Sequence, residues 1–334
     1  MSVLGGLDAL AARLPAMSSL PRVELGRFPT ATQRLEHLSE RLGADLWVKR
    51  DDLSGEPYGG NKVRKLELLL ADARARGARC VLTGGATGSN HVLATAVYGR
   101  ALGLATHAVV FRQPENAFVR RNAARCRALG VKLYPVTSPL SLPLALARVA
   151  AATRADGRRY DMLPGGSTPL GTLGYVAAAC ELAEQVRAGE LPEPVAIWVP
   201  IGSAGTAVGL QLGLALCGLR TRVVAVCVGA PRAAATVVAR GLGALTRRKL
   251  GVGDLAAHAL ELVDDQVGRG YGHETPAALE ALELARLDAL ALDTTYSAKA
   301  LAALVARCRS GAAHGQVHLF WNTYNSRPLD DPRS

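Results

Sequence analysis

Lys62 stands in the run Tyr58-Gly59-Gly60-Asn61-Lys62-Val63-Arg64-Lys65-Leu66, where a glycine pair gives way to a helical pattern. Asn61 suits an N-cap, which puts Lys62 in the first helical turn. A cation there opposes the helix dipole by roughly 0.3–1 kcal/mol, a cost that a neutral or covalently engaged amine avoids. Once deprotonated, the amine can attack a carbonyl. Desolvation, or a neighbouring cation such as Arg64 or Lys65, lowers its pKa in that direction. The same setting also suits an ordinary surface lysine beside a turn, so its chemistry rests on its companions.

Three groups of companions follow. Gly84-Gly85-Ala86-Thr87-Gly88-Ser89-Asn90-His91 reads as a turn between a strand over residues 80–83 and a helix running toward Leu102. Its exposed amides suit a carboxylate, although Ser and Asn are equally ordinary helix caps. Gly202-Ser203-Ala204-Gly205-Thr206 links a strong strand to a helix beginning near Ala207, an arrangement that binds phosphate through backbone donors. It lacks the GxGxxG spacing of a dinucleotide site and the GK[ST] of an ATP site, so a single phosphate fits better. Tyr271 and Tyr296 could each accept or deliver a proton if nearby cations lower the phenol pKa. The seven histidines are dispersed, and Gly315 spoils a shared helical face for His314 and His318, so no metal site is expected. No G-x-S-x-G elbow announces a hydrolase.

The elements that must position these residues alternate. Short β-like runs at residues 46–49, 80–83, 107–111, 131–136, 197–201, 223–228 and 317–321 are separated by helical patterns, which predicts parallel α/β layers. Leu66, Leu69, Leu70 and Ala73 share one helical face, as do Leu35, Leu38 and Leu42. At 334 residues and 49% hydrophobic, the chain can bury a large core and divide in two. The glycine-rich turn 55–60 and the turn 164–167 are the expected crossing points. They predict a smaller domain over residues 58–163 and a large domain over residues 1–57 and 164–334. The net charge of +11 comes from scattered arginines without a dense basic run, which argues against nucleic acid and leaves room for an anionic ligand. Six cysteines in apolar context with no CxxC pair read as reduced, buried thiols of a cytoplasmic protein. The apolar stretch 4–17 is broken by Asp8 and Arg13, and the run 208–219 is too short to span a bilayer, so no signal peptide or membrane anchor is expected.

The segment Gly59-Gly60-Asn61-Lys62-Val63-Arg64-Lys65-Leu66-Glu67 resembles the cofactor-lysine motif of the D-cysteine desulfhydrase and 1-aminocyclopropane-1-carboxylate (ACC) deaminase family. The resemblance continues in order through 85–91, 165–175, 202–206, Tyr271-Gly272 and 293–299, over roughly residues 25–323. It implies the fold-type II architecture of pyridoxal 5′-phosphate (PLP) enzymes, similar to the tryptophan synthase β chain. That architecture has two closely packed domains, each with a mainly parallel twisted sheet flanked by helices. It also implies a homodimer. By the same resemblance Lys62 holds the cofactor as a Schiff base, and Gly202, Ser203, Ala204, Gly205 and Thr206 cradle its phosphate. Ser89, Asn90 and His91 line the substrate carboxylate pocket, with Asn90 also bonding the cofactor's phenolic oxygen. Tyr271 and Tyr296 approach the substrate, with Tyr296 the stronger catalytic candidate. Thr323 meets the pyridine nitrogen, and Lys65 is a structural or surface residue.

The sequence departs from that family at several places. Gly88 replaces a usual Gln, and Ala204 replaces a common Gly. Ser297 and His91 stand where ACC deaminases differ, which leans toward the desulfhydrase side. Asn322-Thr323-Tyr324-Asn325 replaces His-Thr-Gly-Gly. The expected reaction is α,β-elimination from D-cysteine or a related β-substituted amino acid. The alternatives are ring opening of ACC, β-replacement or racemisation, and PLP binding without turnover.

Overall fold

The computed structural model describes residues 3–154, 157–253, 255 and 260–328. The described residues form β1 (Thr32–Arg34), β2 (Asp45–Lys49), β3 (Cys80–Ala86), β4 (Ala105–Phe111), β5 (Lys132–Val136), β6 (Arg159–Asp161), β7 (Ala196–Ile201), β8 (Arg222–Cys227), β9 (Glu261–Val263) and β10 (Val317–Trp321). They pair into two sheets, ordered β1-β2-β10-β7-β8-β9 and β5-β4-β3-β6. Every pairing is parallel except that of β1 with β2. All seven expected strands form. The three unforeseen ones are three-residue edge strands, too short to carry an alternating pattern and defined by their neighbour alone.

Strand β7 shows why the sheets are parallel and covered on both faces. All six of its residues are buried, so it lacks the polar alternation of a half-exposed strand. Helix Pro169–Arg187 packs on helix Gly205–Cys217 across this layer, and the approach is close. A Cβ on Gly209 would lie 2.5 Å from Tyr175 Cβ, and one on Gly213 would lie 2.4 Å from the Val176 carbonyl oxygen. The abundance of Gly and Ala in this chain is spent on such contacts. Helix Gly6–Arg13 joins them, burying Leu7, Ala9 and Leu10. Among the described residues no helix is long and apolar enough to cross a membrane, and all six cysteines are buried and free of disulfides.

The glycine-rich turn expected from residue 84 begins later. Gly84, Gly85 and Ala86 continue β3, paired with Val109, Val110 and Phe111 of β4, which supplies the order that glycine's weak strand preference does not. The loop proper is therefore Thr87 to Ser89. Gly88 is pinned there from both sides: its N–H donates to Gln113 Oε1 at 3.3 Å, and its carbonyl accepts from Asn122 Nδ2 at 3.1 Å.

Helix Lys62–Ala75 is fixed from beneath by a buried ionic cluster. Arg64 donates to both Asp51 and Glu181, with ion-pair distances of 2.7 and 2.8 Å, while Lys49 Nζ lies 2.7 Å from Glu181. Tyr175 and Trp321 also donate to Asp51, at 2.7 and 2.8 Å. Burial alone would raise both carboxylates, but Arg64 outweighs it and holds each below its usual range. The cluster ties β2, β10 and helix Pro169–Arg187 to the helix that begins at Lys62.

Candidate active site

Lys62 is the first residue of its helix, as the spacing predicts, but Asn61 does not cap it. Asn61 already has helical φ and ψ of −65° and −9°, and its side chain faces sideways instead. Its Oδ1 accepts from Lys62 Nζ at 2.7 Å, and its Nδ2 donates to Thr206 Oγ1 at 3.1 Å. One amide thus joins the lysine to the glycine loop. The Asn61 N–H donates to the Thr323 carbonyl at 3.1 Å, and Gly59 N–H donates to Asn325 Oδ1 at 2.7 Å. Gly60, at φ +88°, runs so close that a Cβ would lie 2.9 Å from the Tyr324 carbonyl oxygen. Desolvation lowers the Lys62 amine to about 8, with Asp293 acting weakly in the opposite sense.

Of the two expectations for Lys65, structural or surface, the surface one fails, since this residue is 1% exposed. Its Nζ donates to the Gly165 carbonyl at 3.3 Å and to Ser167 Oγ at 3.2 Å. Ser167 Oγ also lies 2.8 Å from Ser203 Oγ and accepts from Gly205 N–H at 3.2 Å. The ammonium therefore sits against the glycine loop. Burial first, and Lys62 second, drive its pKa well below the ordinary lysine value. A bound anion would reverse that shift by favouring the charged form.

The loop itself has the shape of an anion cradle. Gly202 to Thr206 leads into the 13-residue helix Gly205–Cys217, whose first amides have no helical acceptor. A Cβ on Gly205 would fall 2.6 Å from Ser167 Oγ and 2.9 Å from Lys65 Nζ. Ala204 adopts φ +67° in the left-handed region, a conformation that glycine takes without strain. A lysine, three hydroxyls (Ser167, Ser203 and Thr206) and a helix N-terminus fit a phosphate, and the depressed amine of Lys62 fits an aldehyde.

The remaining expected residues form two further groups. Ser89 caps helix Asn90–Ala101, accepting from Val92 N–H at 3.4 Å, so the capping role is realised. Asn90 Oδ1 accepts from Tyr58 OH at 3.1 Å and Asn122 Nδ2 at 3.2 Å, which leaves its NH₂ as the donating end. His91 Nε2 pairs with Thr83 Oγ1 at 2.9 Å, and its buried Nδ1 has no partner among the described residues. Burial, then Lys62 and Lys65, keep this imidazole neutral. Tyr271 and Tyr296 meet at 2.5 Å between hydroxyls. The condition set for phenol acidity, a nearby cation, is not met among the described residues: burial raises both. Burial raises Tyr271 to about 12, with the hydrogen bond to Tyr296 partly offsetting it.

Asp293 organises this last pair and was not singled out by its sequence context. Its buried carboxylate accepts from Thr295 N–H at 2.9 Å, Tyr296 N–H at 2.7 Å and Ser297 Oγ at 3.0 Å. The Asp-x-x-x-Ser spacing ahead of a helix was the available signal. Tyr296 is thereby held at the start of helix Ser297–Arg309, its ring Cε1 3.4 Å from where a Cβ on Gly202 would stand. Among the described residues no cluster of three or more His, Cys, Asp or Glu is placed to hold a metal ion.

Residues 23–322 match the family described as pyridoxal-phosphate dependent enzyme. The chain is 37% identical to nocardicin C-9′ epimerase of Nocardia uniformis subsp. tsuyamanensis over 93% of its length and 94% of the relative's. It is 36% identical to D-cysteine desulfhydrase of Salmonella schwarzengrund, over 86% of this chain and 89% of that one. The crystal structure of an ACC deaminase homologue superposes with a TM-score of 0.84 at 32% identity, covering 96% of this chain and 95% of the other.

Proposed function

The chain belongs to the pyridoxal-phosphate dependent enzymes, and we propose that within that family it is a lyase or deaminase of a small amino acid. The favoured reaction is α,β-elimination from D-cysteine or a related β-substituted amino acid, giving a keto acid, ammonia and the leaving group. The observation that carries this reading is the Lys62 amine, lowered to about 8 and joined through Asn61 to the Thr206 end of a phosphate-shaped loop.

In this reading Lys62 holds PLP through its amine, while Gly202, Ser203, Ala204, Gly205 and Thr206, together with Lys65, receive the phosphate. Bound PLP supplies an electron sink for charge developed at the substrate α-carbon. Asn90 donates its NH₂ toward the cofactor ring, and Ser89, Asn90 and His91 receive the substrate carboxylate at the start of helix Asn90–Ala101. His91, being neutral, adds a hydrogen bond without a charge. The Lys62 amine would take the α-proton. The Tyr271–Tyr296 pair delivers a proton to the departing group. Thr323 offers the pyridine nitrogen a hydroxyl, which polarises it less than a carboxylate would.

The same reading includes a cytoplasmic homodimer and a division into a large unit, residues 1–57 and 164–334, and a smaller one, residues 58–163. The division is supported by the four-stranded sheet drawing all its strands from between residues 80 and 161. A second reading, racemisation or epimerisation at the α-carbon, is favoured by the 37% identity to an epimerase and by the presence of two kinds of proton carrier, an amine and a phenol pair. Holoenzyme incubated with D-cysteine, L-cysteine, β-chloroalanine and ACC, with keto acid measured, decides between them. Elimination predicts keto acid from at least one β-substituted substrate. Exchange of the α-hydrogen in D₂O without any keto acid would replace it with the second reading. Borohydride labelling at a lysine other than Lys62 would overturn both.

A further inference from the structure

We propose that Cys180 and Cys217 form a modification site: met by a peroxide, the two thiols close into a disulfide that joins helix Pro169–Arg187 to helix Gly205–Cys217 without displacing either. The inference is independent of which substrate the enzyme takes.

The two sulfurs lie 3.1 Å apart, inside the contact distance of non-bonded sulfur atoms. Their approach follows from the way the helices pack. Gly209 and Gly213 let one helix run against the other: a Cβ on Gly209 would lie 2.7 Å from the Thr172 carbonyl oxygen, and one on Gly213 would lie 2.6 Å from Ala179 Cβ. Cys217 is the next position on that four-residue spacing and meets Cys180, the residue after Ala179. The backbone contact one turn earlier therefore sets the distance between the thiols. Sulfurs in a disulfide are about 2.05 Å apart, so closure needs an approach of roughly 1 Å, a side-chain adjustment rather than a backbone one.

The pair is asymmetric. Contact with Cys180 lowers the Cys217 thiol and, with Arg187 and Arg13 favouring the thiolate as well, outweighs burial. The same contact, joined by burial, raises Cys180. Both arginines are fixed at this helix end, Arg187 Nη2 donating to the Cys217 carbonyl and Arg13 Nε to the Leu216 carbonyl, each at 2.9 Å. Cys217 is also the outer member of the pair, 6% exposed against 1% for Cys180. Elsewhere burial prevails and raises Cys126 to about 12 and Cys308 to about 11. Cys217 is thus the sulfur that reacts first. Its thiolate attacks one peroxide oxygen, the S–O bond forms as the O–O bond breaks, and the departing hydroxide takes the thiol proton to become water. The Cys180 sulfur then attacks Cys217: the S–S bond forms, the S–O bond breaks, and the hydroxyl leaves with the Cys180 proton as a second water. Two thiols lose two electrons and two protons, and the peroxide is reduced to two waters.

The test treats reduced holoenzyme with hydrogen peroxide, blocks the remaining thiols with iodoacetamide and maps the peptides without reduction. We expect a linked Cys180–Cys217 peptide as the first oxidation product, lighter than its two parts by two hydrogens and split again by dithiothreitol. The linked protein should melt about 5 °C above the reduced one. In Cys180→Ser, dimedone should trap Cys217 as its sulfenic acid, whereas in Cys217→Ser the Cys180 thiol should remain unmodified. Absence of the linked peptide overturns the proposal, as does earlier oxidation of another cysteine. A linked protein that melts no higher than the reduced one overturns closure without displacement of the helices. Dimedone on Cys180 in Cys217→Ser overturns the assigned order of attack.

Discussion

Arg64 and Lys62 lie two residues apart at the start of one helix and meet burial in opposite ways. Arg64 finds two carboxylates, Asp51 and Glu181, and is held charged, its pKa raised well above the ordinary value despite desolvation. Lys62 has an amide for its partner, and Lys65 a carbonyl and a hydroxyl, so desolvation lowers both. A buried cation without a counter-charge yields its proton more readily, and a nucleophile results. In the proposed reading the paired cluster serves as scaffold and the amines without a counter-charge carry the chemistry. The two are adjacent because the first fixes the helix that carries the second.

That contrast can be broken most severely at Lys62. Lys62→Ala should abolish borohydride-trapped cofactor and reduce turnover on the order of 10³-fold while circular dichroism shows an intact fold. Retained trapping would assign the chemistry to another amine. The opposite half of the contrast predicts damage to the fold. Glu181→Ala leaves Lys49 and Arg64 facing each other with one carboxylate fewer, and should lower unfolding free energy by about 3–5 kcal/mol in urea titrations. A loss under 1 kcal/mol would show the cluster to be dispensable scaffold.

Tyr271→Phe and Tyr296→Phe should each reduce kcat by about 10²-fold if the hydroxyl pair moves the proton. An unchanged kcat in either variant would remove that residue from the step. The amine also imposes a pH dependence. Its folded pKa of about 8 lies below the 10.5 of an unperturbed lysine, so between those values the unfolded chain binds more protons. The cofactor-free protein should therefore gain stability as pH rises from about 8 to 10.5, and Lys62→Met should flatten that slope. The initial rate of PLP uptake should climb through the same pKa and level off above it, as measured by absorbance in stopped flow. The smallest expected effect is at the cradle. Ala204→Gly relieves a left-handed alanine and should raise stability by up to about 1 kcal/mol.

Much of this molecule was legible before folding. The strand at 196–201 is apolar throughout, and Leu66, Leu69, Leu70 and Ala73 fall on one helical face, because hydrophobic period reports directly on burial. PLP was legible only by resemblance of the ordered motifs to a known family; the residue types alone offered an amine beside a turn and a loop that suits a phosphate. Three short edge strands escaped, being specified only by what they pair with. Lys65 escaped for a related reason: the side chain is an ordinary helix residue until the turn at Gly165 to Ser167, a hundred positions away, closes over it.

The sequence alone determined the seven longer strands, the apolar helix faces and which residue types were available for chemistry, because all follow from local pattern. Tertiary structure alone decided protonation and partnership. Whether a lysine becomes a nucleophile or a tyrosine an acid depends on the field and solvent around it, and those are set by groups remote in sequence. Arg64 with Asp51 and Glu181, Lys62 with Asn61 and Thr206, and Arg121 with Tyr324 become neighbours only when the chain has folded.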